Sequence, residues 1–66
     1  MKQVKIRILD SSVVAGVRTQ AESKGFIFIE YIDNIMVFEK ENNQIESIKD
    51  LKRIPGLGEY IQILSS

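Results

Sequence analysis

Two runs of β-branched and aromatic residues, separated by Asp33-Asn34, dominate the middle of the chain. Asp and Asn tolerate the positive φ angles that a two-residue turn requires. The pattern therefore predicts a β-hairpin with strands over residues 26–32 and 35–40. Folding the chain at this turn pairs Ile29 with Phe38 and Phe28 with Glu39.

Alternation along the hairpin divides its residues between two faces. One face is wholly apolar and is predicted to belong to the core; its members are Ile27, Ile29, Tyr31, Met36 and Phe38. The other face mixes apolar and acidic residues, namely Phe28, Glu30, Ile32, Ile35, Val37 and Glu39. This second face is too apolar for an ordinary solvated face and too charged for a second core. It is predicted to bind a partner.

The first 25 residues predict a strand followed by a helix. Residues 2–9 alternate between polar and apolar side chains, which is typical of a half-buried strand with its inward residues at Val4, Ile6 and Ile8. Asp10-Ser11-Ser12 supplies N-cap residues for a helix over residues 13–24, which Gly25 ends.

The last 24 residues predict a second helix and a fourth strand. Asn43 and Glu46 have the spacing of a capping box. Apolar residues then recur at every third position, at Ile45, Ile48, Leu51 and Ile54, and the helix must stop before Pro55. Residues 59–64 are rich in β-branched and aromatic residues, so they are predicted to form a strand with Ile61 and Ile63 inward.

This order of elements predicts an α+β fold and a single domain over residues 1–66. Strand, helix, strand, strand, helix, strand is the ferredoxin-like βαββαβ sandwich. Right-handed crossovers give a four-stranded antiparallel sheet in the order 4-1-3-2, with two helices on one face. The opposite face is the predicted binding surface; its partner-binding candidates are Lys5, Arg7, Phe28, Glu30, Ile32, Ile35, Val37, Glu39 and Tyr60.

Composition narrows the range of functions. The chain contains no Cys and no His, so thiolate and imidazole chemistry and the commonest metal ligands are missing; we expect no enzyme activity, no metal and no cofactor. Nine basic and nine acidic residues give zero net charge, which does not favour nucleic acid or an anionic membrane. No leader or membrane span is recognisable, and a cytoplasmic location is expected.

Nearly the whole chain resembles ACT-type small-molecule-sensing domains. These share the βαββαβ order and often carry a Leu-x-x-Ile-Pro-Gly run, which Leu51, Ile54, Pro55 and Gly56 match. The resemblance implies a ligand loop after the first strand, at Asp10, Ser11 and Ser12. The Pro-Gly pair usual after that Asp is absent, and the residues also suit a plain helix cap.

Two further resemblances concern nucleic acids. The run Pro55-Gly-Leu-Gly58 resembles the turn of helix-hairpin-helix DNA-binding modules, in which backbone N–H groups meet a phosphate. It suits a helix-to-strand turn equally. Lys5 and Arg7 beside Phe28 resemble the sheet face of RNA-recognition modules. Acidic residues on that same face favour cross-strand ion pairs with Lys5 and Arg7 instead.

The sequence thus predicts a non-catalytic protein-binding or regulatory module that acts stoichiometrically through the open face. Free-standing domains of this size are typical of phage or mobile-element inhibitors and of small regulators. The expected partner is another protein, a second copy of the chain, or both. An ACT-like sensor that binds at Asp10 and a DNA-binding module that uses Pro55 to Gly58 are the alternatives.

Overall fold

The computed structural model describes the backbone of residues 1–65 and the side chains of residues 1–41 and 46–64. Its four strands are β1 (Lys2–Ile8), β2 (Ile27–Ile32), β3 (Ile35–Lys40) and β4 (Ile61–Ser65). The helices are α1 (Val14–Ser23) and a 3₁₀ helix (Asn42–Arg53). Short 3₁₀ turns precede α1 and β4, at Ser11–Val13 and Gly58–Tyr60.

The strands form one antiparallel sheet in the order β2-β3-β1-β4. This is the predicted order read from the opposite edge, so the α+β class and the strand arrangement are confirmed. Asp33 and Asn34 form the turn between β2 and β3 with φ of 53° and 66°. Positive φ at both positions is what a type I′ hairpin turn requires, so the predicted hairpin is also confirmed.

The C-terminal end of α1 follows the sequence signal. Gly25 has a φ of 89°, a conformation that costs glycine little. Its N–H donates to the carbonyl of Glu22 at 3.0 Å, and the N–H of Phe26 donates to the carbonyl of Ala21 at 3.1 Å. These two bonds make a Schellman motif, which ends the helix and turns the chain toward β2.

The second helix is 3₁₀ over all twelve of its residues. A 3₁₀ helix has three residues per turn, so apolar residues that recur every third position lie along one straight face. Ile48 and Leu51 are both fully buried on that face. In an α-helix the same spacing would rotate the stripe by about 60° at each step. The side chains of Asn43 and Ile45, which belong to the predicted capping box and stripe, lie outside the described residues.

One apolar core joins both helices to the sheet. It contains Val4, Ile6, Ile8, Val13, Val17, Ala21, Phe26, Met36, Phe38, Ile48, Leu51, Leu57 and Ile61. Strand β1 contributes only alternate residues to this cluster, and both helices contribute to it, so the helices cover the same face of the sheet. Lys24, the residue directly after α1, also forms an ion pair of 3.7 Å with Asp50 of the 3₁₀ helix. The other face of the sheet carries no helix.

Edge strand β2 contains one residue more than its partner requires. Phe28 pairs with Phe38 and Glu30 pairs with Val37, which leaves Ile29 as a β-bulge between them. The predicted register is therefore confirmed from the turn as far as Glu30 and is wrong beyond it. A bulge reverses the inside and outside positions of every residue that follows it along the strand.

The other edge strand, β4, is also bulged. Ile63 pairs with Ile6 and Ser65 pairs with Lys5, so Leu64 is the extra residue. The fourth strand is where the sequence predicted a strand, although it begins at Ile61 rather than at residue 59. Both edges of the sheet thus carry an interruption in their backbone pairing.

Candidate interaction surface

The uncovered face of the sheet, here called the open face, consists of three cross-strand rows. Read from β2 toward β4, the first row is Ile27, Glu39 and Gln3; the second is Glu30, Val37 and Lys5; the third is Ile32, Ile35, Arg7 and Gln62. Ile29 shares the position opposite Val37 with Glu30 because of the bulge. Seven of the nine predicted partner-binding residues lie in these rows.

Three exposed isoleucines of β2, Ile27, Ile29 and Ile32, form an apolar patch on the open face, here called the isoleucine patch. The exposed fractions of Ile27, Ile29 and Ile32 are 52%, 41% and 58%. Ile35 lies half-buried beside Ile32 in the neighbouring strand. Single exposed apolar residues are ordinary, but adjacent ones on one strand form a contiguous surface of the kind that binds partners.

Val37 lies at the centre of the open face and is itself 6% exposed. Lys5 is its neighbour on one side, and Glu30 is its neighbour on the other. The aliphatic stems of such long side chains cover apolar residues while their charged ends stay in water. A substitution at Val37 would therefore change the packing of the face itself. The exposed isoleucines around it are the better positions for testing binding.

Four charged residues of the open face form no ion pair among the described residues: Lys5, Arg7, Glu30 and Glu39. The prediction that Lys5 and Arg7 form cross-strand ion pairs with acidic residues of this face is thus wrong. Gln3 Nε2 instead donates to Glu39 Oε2 at 3.3 Å, and Arg7 Nη1 donates to Gln62 Oε1 at 3.3 Å. The charges keep their capacity to meet opposite charges on another molecule.

Phe28 was predicted to lie on the open face, and this is wrong. Its ring meets that of Phe38 edge to face, with 5.8 Å between the centroids. The guanidinium of Arg18, in α1, lies 4.1 Å above the centroid of Phe28. The bulge at Ile29 turns Phe28 toward the helices and exposes Ile29 and Ile27, which were predicted to be core. Residues 26–29 are all apolar, so the sequence fits equally well with Phe28 facing the helices or facing the open side. Alternation alone could therefore not locate the extra residue.

Tyr60 was predicted to join the open face from the fourth strand, and it lies instead in the 3₁₀ turn before β4. Its carbonyl accepts a hydrogen bond from the N–H of Leu9 at 2.8 Å, and its side chain is 40% exposed. The residue thus continues the pairing of β1 with β4 through its backbone. Tyr60 is therefore not a member of the three rows.

The candidate ligand loop after β1 is occupied by its own hydrogen bonds. Asp10 Oδ1 accepts from the Ser12 N–H at 3.0 Å, and the Asp10 carbonyl accepts from the Val13 N–H at 3.1 Å. The Ser12 amide, and to a smaller extent its hydroxyl, hold the pKa of Asp10 below its usual value. Asp10 therefore caps the turn that Ser11 begins, which is the helix-cap role that the sequence also suited.

We expect Asp10→Ala to lower the thermal unfolding midpoint at neutral pH, because the variant loses the cap. The folded-state pKa of Asp10 is lowered, so its contribution is complete above the unfolded-state pKa and disappears as the pH falls through the folded-state pKa. Thermal melts of both proteins from neutral to acidic pH should thus converge. Asp10→Asn, which keeps an uncharged acceptor, is the control. A difference that is constant at every pH would contradict this account.

The turn that resembles a helix-hairpin-helix motif uses its N–H groups internally. Gly56 donates to Glu59 Oε1 at 2.8 Å. Leu57 and Gly58 donate to the carbonyl of Ile54 at 3.2 and 2.8 Å. A phosphate at this turn would have to replace a carboxylate and would meet its negative charge. In addition, β4 stands where the motif needs its second helix. The geometry matches the alternative interpretation of a helix-to-strand turn.

Comparison of the chain with protein-family models, curated proteins and solved structures found no match. Within the side chains that the structure describes, no group of three or more carboxylates could hold a metal ion. Over the described backbone, no helix combines the length and the apolar character needed to cross a membrane.

Proposed function

We propose that this chain is a non-catalytic protein-binding module of ferredoxin-like type and that the open face is its binding surface. The observation that carries the proposal is the combination, on one uncovered face, of the isoleucine patch with four charges that have no ionic partner within the described part of the chain. A protein surface supplies apolar contacts and opposite charges together. The order of elements and the helices on one side of the sheet support the ferredoxin-like assignment.

The two alternatives have less support from the described contacts. A ligand-sensing role at Asp10 would need the carboxylate that now caps Ser12. A DNA-binding role at the turn before β4 would need the N–H groups that Glu59 and Ile54 now accept from. The open face differs from both places because Lys5 and Glu30 form neither a side-chain hydrogen bond nor an ion pair among the described residues.

The open face is also a better binding surface than either edge of the sheet. Edge strands recruit other chains by extending the backbone ladder, and bulges weaken that mode because they interrupt the ladder. Here β2 is bulged at Ile29 and β4 at Leu64. Binding through side chains on the face does not depend on an uninterrupted ladder.

The substitution Ile32→Lys tests the proposal. Ile32 is 58% exposed, so a lysine fits without disturbing the core, but it places a charge in the middle of an apolar contact. We expect the affinity for a bound protein to fall by about tenfold or more. The measurement is chemical cross-linking in cells, followed by mass spectrometry of the proteins attached to the wild-type chain and to the variant.

Thr19→Lys is the matched control, because it adds the same charge to an exposed position of α1, on the covered side of the sheet. Cross-linked partners should persist in this variant. Circular dichroism should show both variants folded. Equal recovery of partners with Ile32→Lys and with the wild-type chain would overturn the proposal.

A further inference from the structure

We propose that the partner of the open face is a second copy of this chain, packed face to face about a twofold axis that runs parallel to the strands. The inference rests on the proposed function, because it names the occupant of the same surface. Closed pairs of identical chains require a surface that is complementary to itself. The distribution of charge over the open face meets that requirement.

The charges are separated by strand. Both cations, Lys5 and Arg7, lie on β1, whereas the carboxylates Glu30 and Glu39 lie on β2 and β3. The face therefore has an acidic half and a basic half, with two charges of each sign and no net charge. A surface of this kind repels a uniformly acidic or basic partner on one side, but matches a copy of itself that is turned around.

The strand order decides which axis brings the halves together. A twofold axis between the sheets and parallel to the strands places β3 over β1 of the partner, and β2 over β4 of the partner. The acidic half of each copy then faces the basic half of the other. Two sheets packed in this way keep their strands nearly aligned, which is the usual arrangement of a β-sandwich.

The other face-to-face arrangement is disfavoured by the same charges. An axis perpendicular to the strands would place each strand over its own copy. Lys5 would then face Lys5 of the second copy, and Glu30 would face Glu30 of the second copy. Like charges facing each other across an interface are destabilising, so the symmetry of this arrangement opposes association.

The apolar residues fit the same arrangement. The isoleucine patch on β2 would lie over β4 of the partner, where Leu64 is 41% exposed. Half-buried Ile35 on β3 would lie over β1 of the partner, where the stems of Lys5 and Arg7 supply aliphatic surface. Dimerisation would thus cover the exposed apolar residues that the fold of one chain leaves in water.

Analytical ultracentrifugation of the purified chain, from about 1 µM to about 1 mM, tests this inference. We expect a monomer–dimer equilibrium. Two charge-reversed variants sharpen the test: one combines Lys5→Glu with Arg7→Glu and has an all-acidic open face, and the other combines Glu30→Lys with Glu39→Lys and has an all-basic one. Each variant alone should dissociate at least about tenfold more readily than the wild-type chain. An equimolar mixture should form a mixed dimer.

A further variant separates a specific interface from general attraction between opposite charges. Lys49→Glu combined with Arg53→Glu produces the same net charge as the all-acidic variant, but on exposed positions of the 3₁₀ helix. This control should still form its own dimer and should form no mixed dimer with the all-basic variant. Mixed dimers of equal stability in both mixtures would overturn the proposed interface.

The outcomes also separate this inference from the proposed function. A chain that stays monomeric at all concentrations, while Ile32→Lys still abolishes cross-links to another protein, would exclude the second copy and keep the open face as a protein-binding surface. A dimer that is indifferent to both charge reversals would overturn the face-to-face arrangement, because that arrangement places all four charges in the interface. If both the cross-links and the dimer persisted in every variant, both proposals would be overturned.

Discussion

Replacing Phe38 with alanine is expected to lower the free energy of unfolding by about 3–5 kcal/mol. Phe38 is fully buried, and its ring meets two other aromatic rings edge to face, those of Phe26 at 6.5 Å and Phe28 at 5.8 Å between centroids. A domain of sixty-six residues has roughly 3–10 kcal/mol of stability in total, so much of the population should unfold. Urea denaturation followed by circular dichroism measures the loss.

Phe28→Ala is the matched control, because it removes the same side chain from the position opposite Phe38. Phe28 is only half-buried, so we expect a smaller loss, of about 1–3 kcal/mol. Phe28 contacts Arg18 on the helix side. Binding through the open face should therefore be unchanged in folded Phe28→Ala protein. Loss of binding without loss of stability in Phe28→Ala would show that the bulge at Ile29 is misplaced, because Phe28 would then lie on the open face.

Gly58→Ala is the second substitution with a large expected effect. A Cβ atom at Gly58 would lie 2.5 Å from the carbonyl carbon and 2.9 Å from the Cα of Lys52. Backbone atoms cannot rotate away as a side chain can, so the turn before β4 would have to move. Lys52 Nζ also donates to the carbonyls of Gly58 and Ile61, at 3.1 and 2.9 Å, and would lose this geometry. We expect a loss of about 3 kcal/mol, measured by urea denaturation.

Gly56→Ala controls for the loss of glycine in the same turn. Gly56 has a φ of 76°, but beyond its own chain neighbours no atom lies within 4 Å of where its Cβ would be. We expect the free energy of unfolding of this variant to fall only by the cost of placing alanine in a left-handed backbone conformation, about 1–2 kcal/mol. If the two alanine variants were equally stable, the close approach of Gly58 to Lys52 would not be a determinant of the fold.

The sequence predicts the arrangement of strands because the signals for it are local. Asp33-Asn34 specifies the hairpin turn, Gly25 specifies the end of α1, and alternation in β1 specifies which residues enter the core. Short-range stereochemistry at these points leaves one choice of conformation. The strand order then follows from the handedness of crossovers.

The site could be predicted only in part, because a bulge is not a local signal. Lys5 and Arg7 are placed correctly by alternation in β1, and Ile32 is placed correctly by its distance from the turn. Phe28 lies beyond the bulge and is therefore misplaced. What decides the phase there is the tertiary packing of three phenylalanine rings, which is not visible in the alternation of one strand.

The second helix shows that the exact spacing of apolar residues carries information beyond their presence. Strict recurrence at every third position predicts a helix with an inward stripe, and Ile48 and Leu51 are buried as that stripe requires. The same spacing also favours three residues per turn over 3.6. The two kinds of helix can be distinguished from sequence by whether the apolar positions stay on one straight face at three residues per turn or at 3.6.

The bulge in β2 also bears on the solubility of the chain at high concentration. The segment Ile27–Ile32 is six residues long, rich in β-branched and aromatic side chains and charged only at Glu30. Segments with this composition stack into amyloid fibrils when they lie flat and unprotected at an edge. The extra residue twists and interrupts the strand, so the folded chain is a poor template for fibril growth. Conditions that unfold the chain release the segment from that protection.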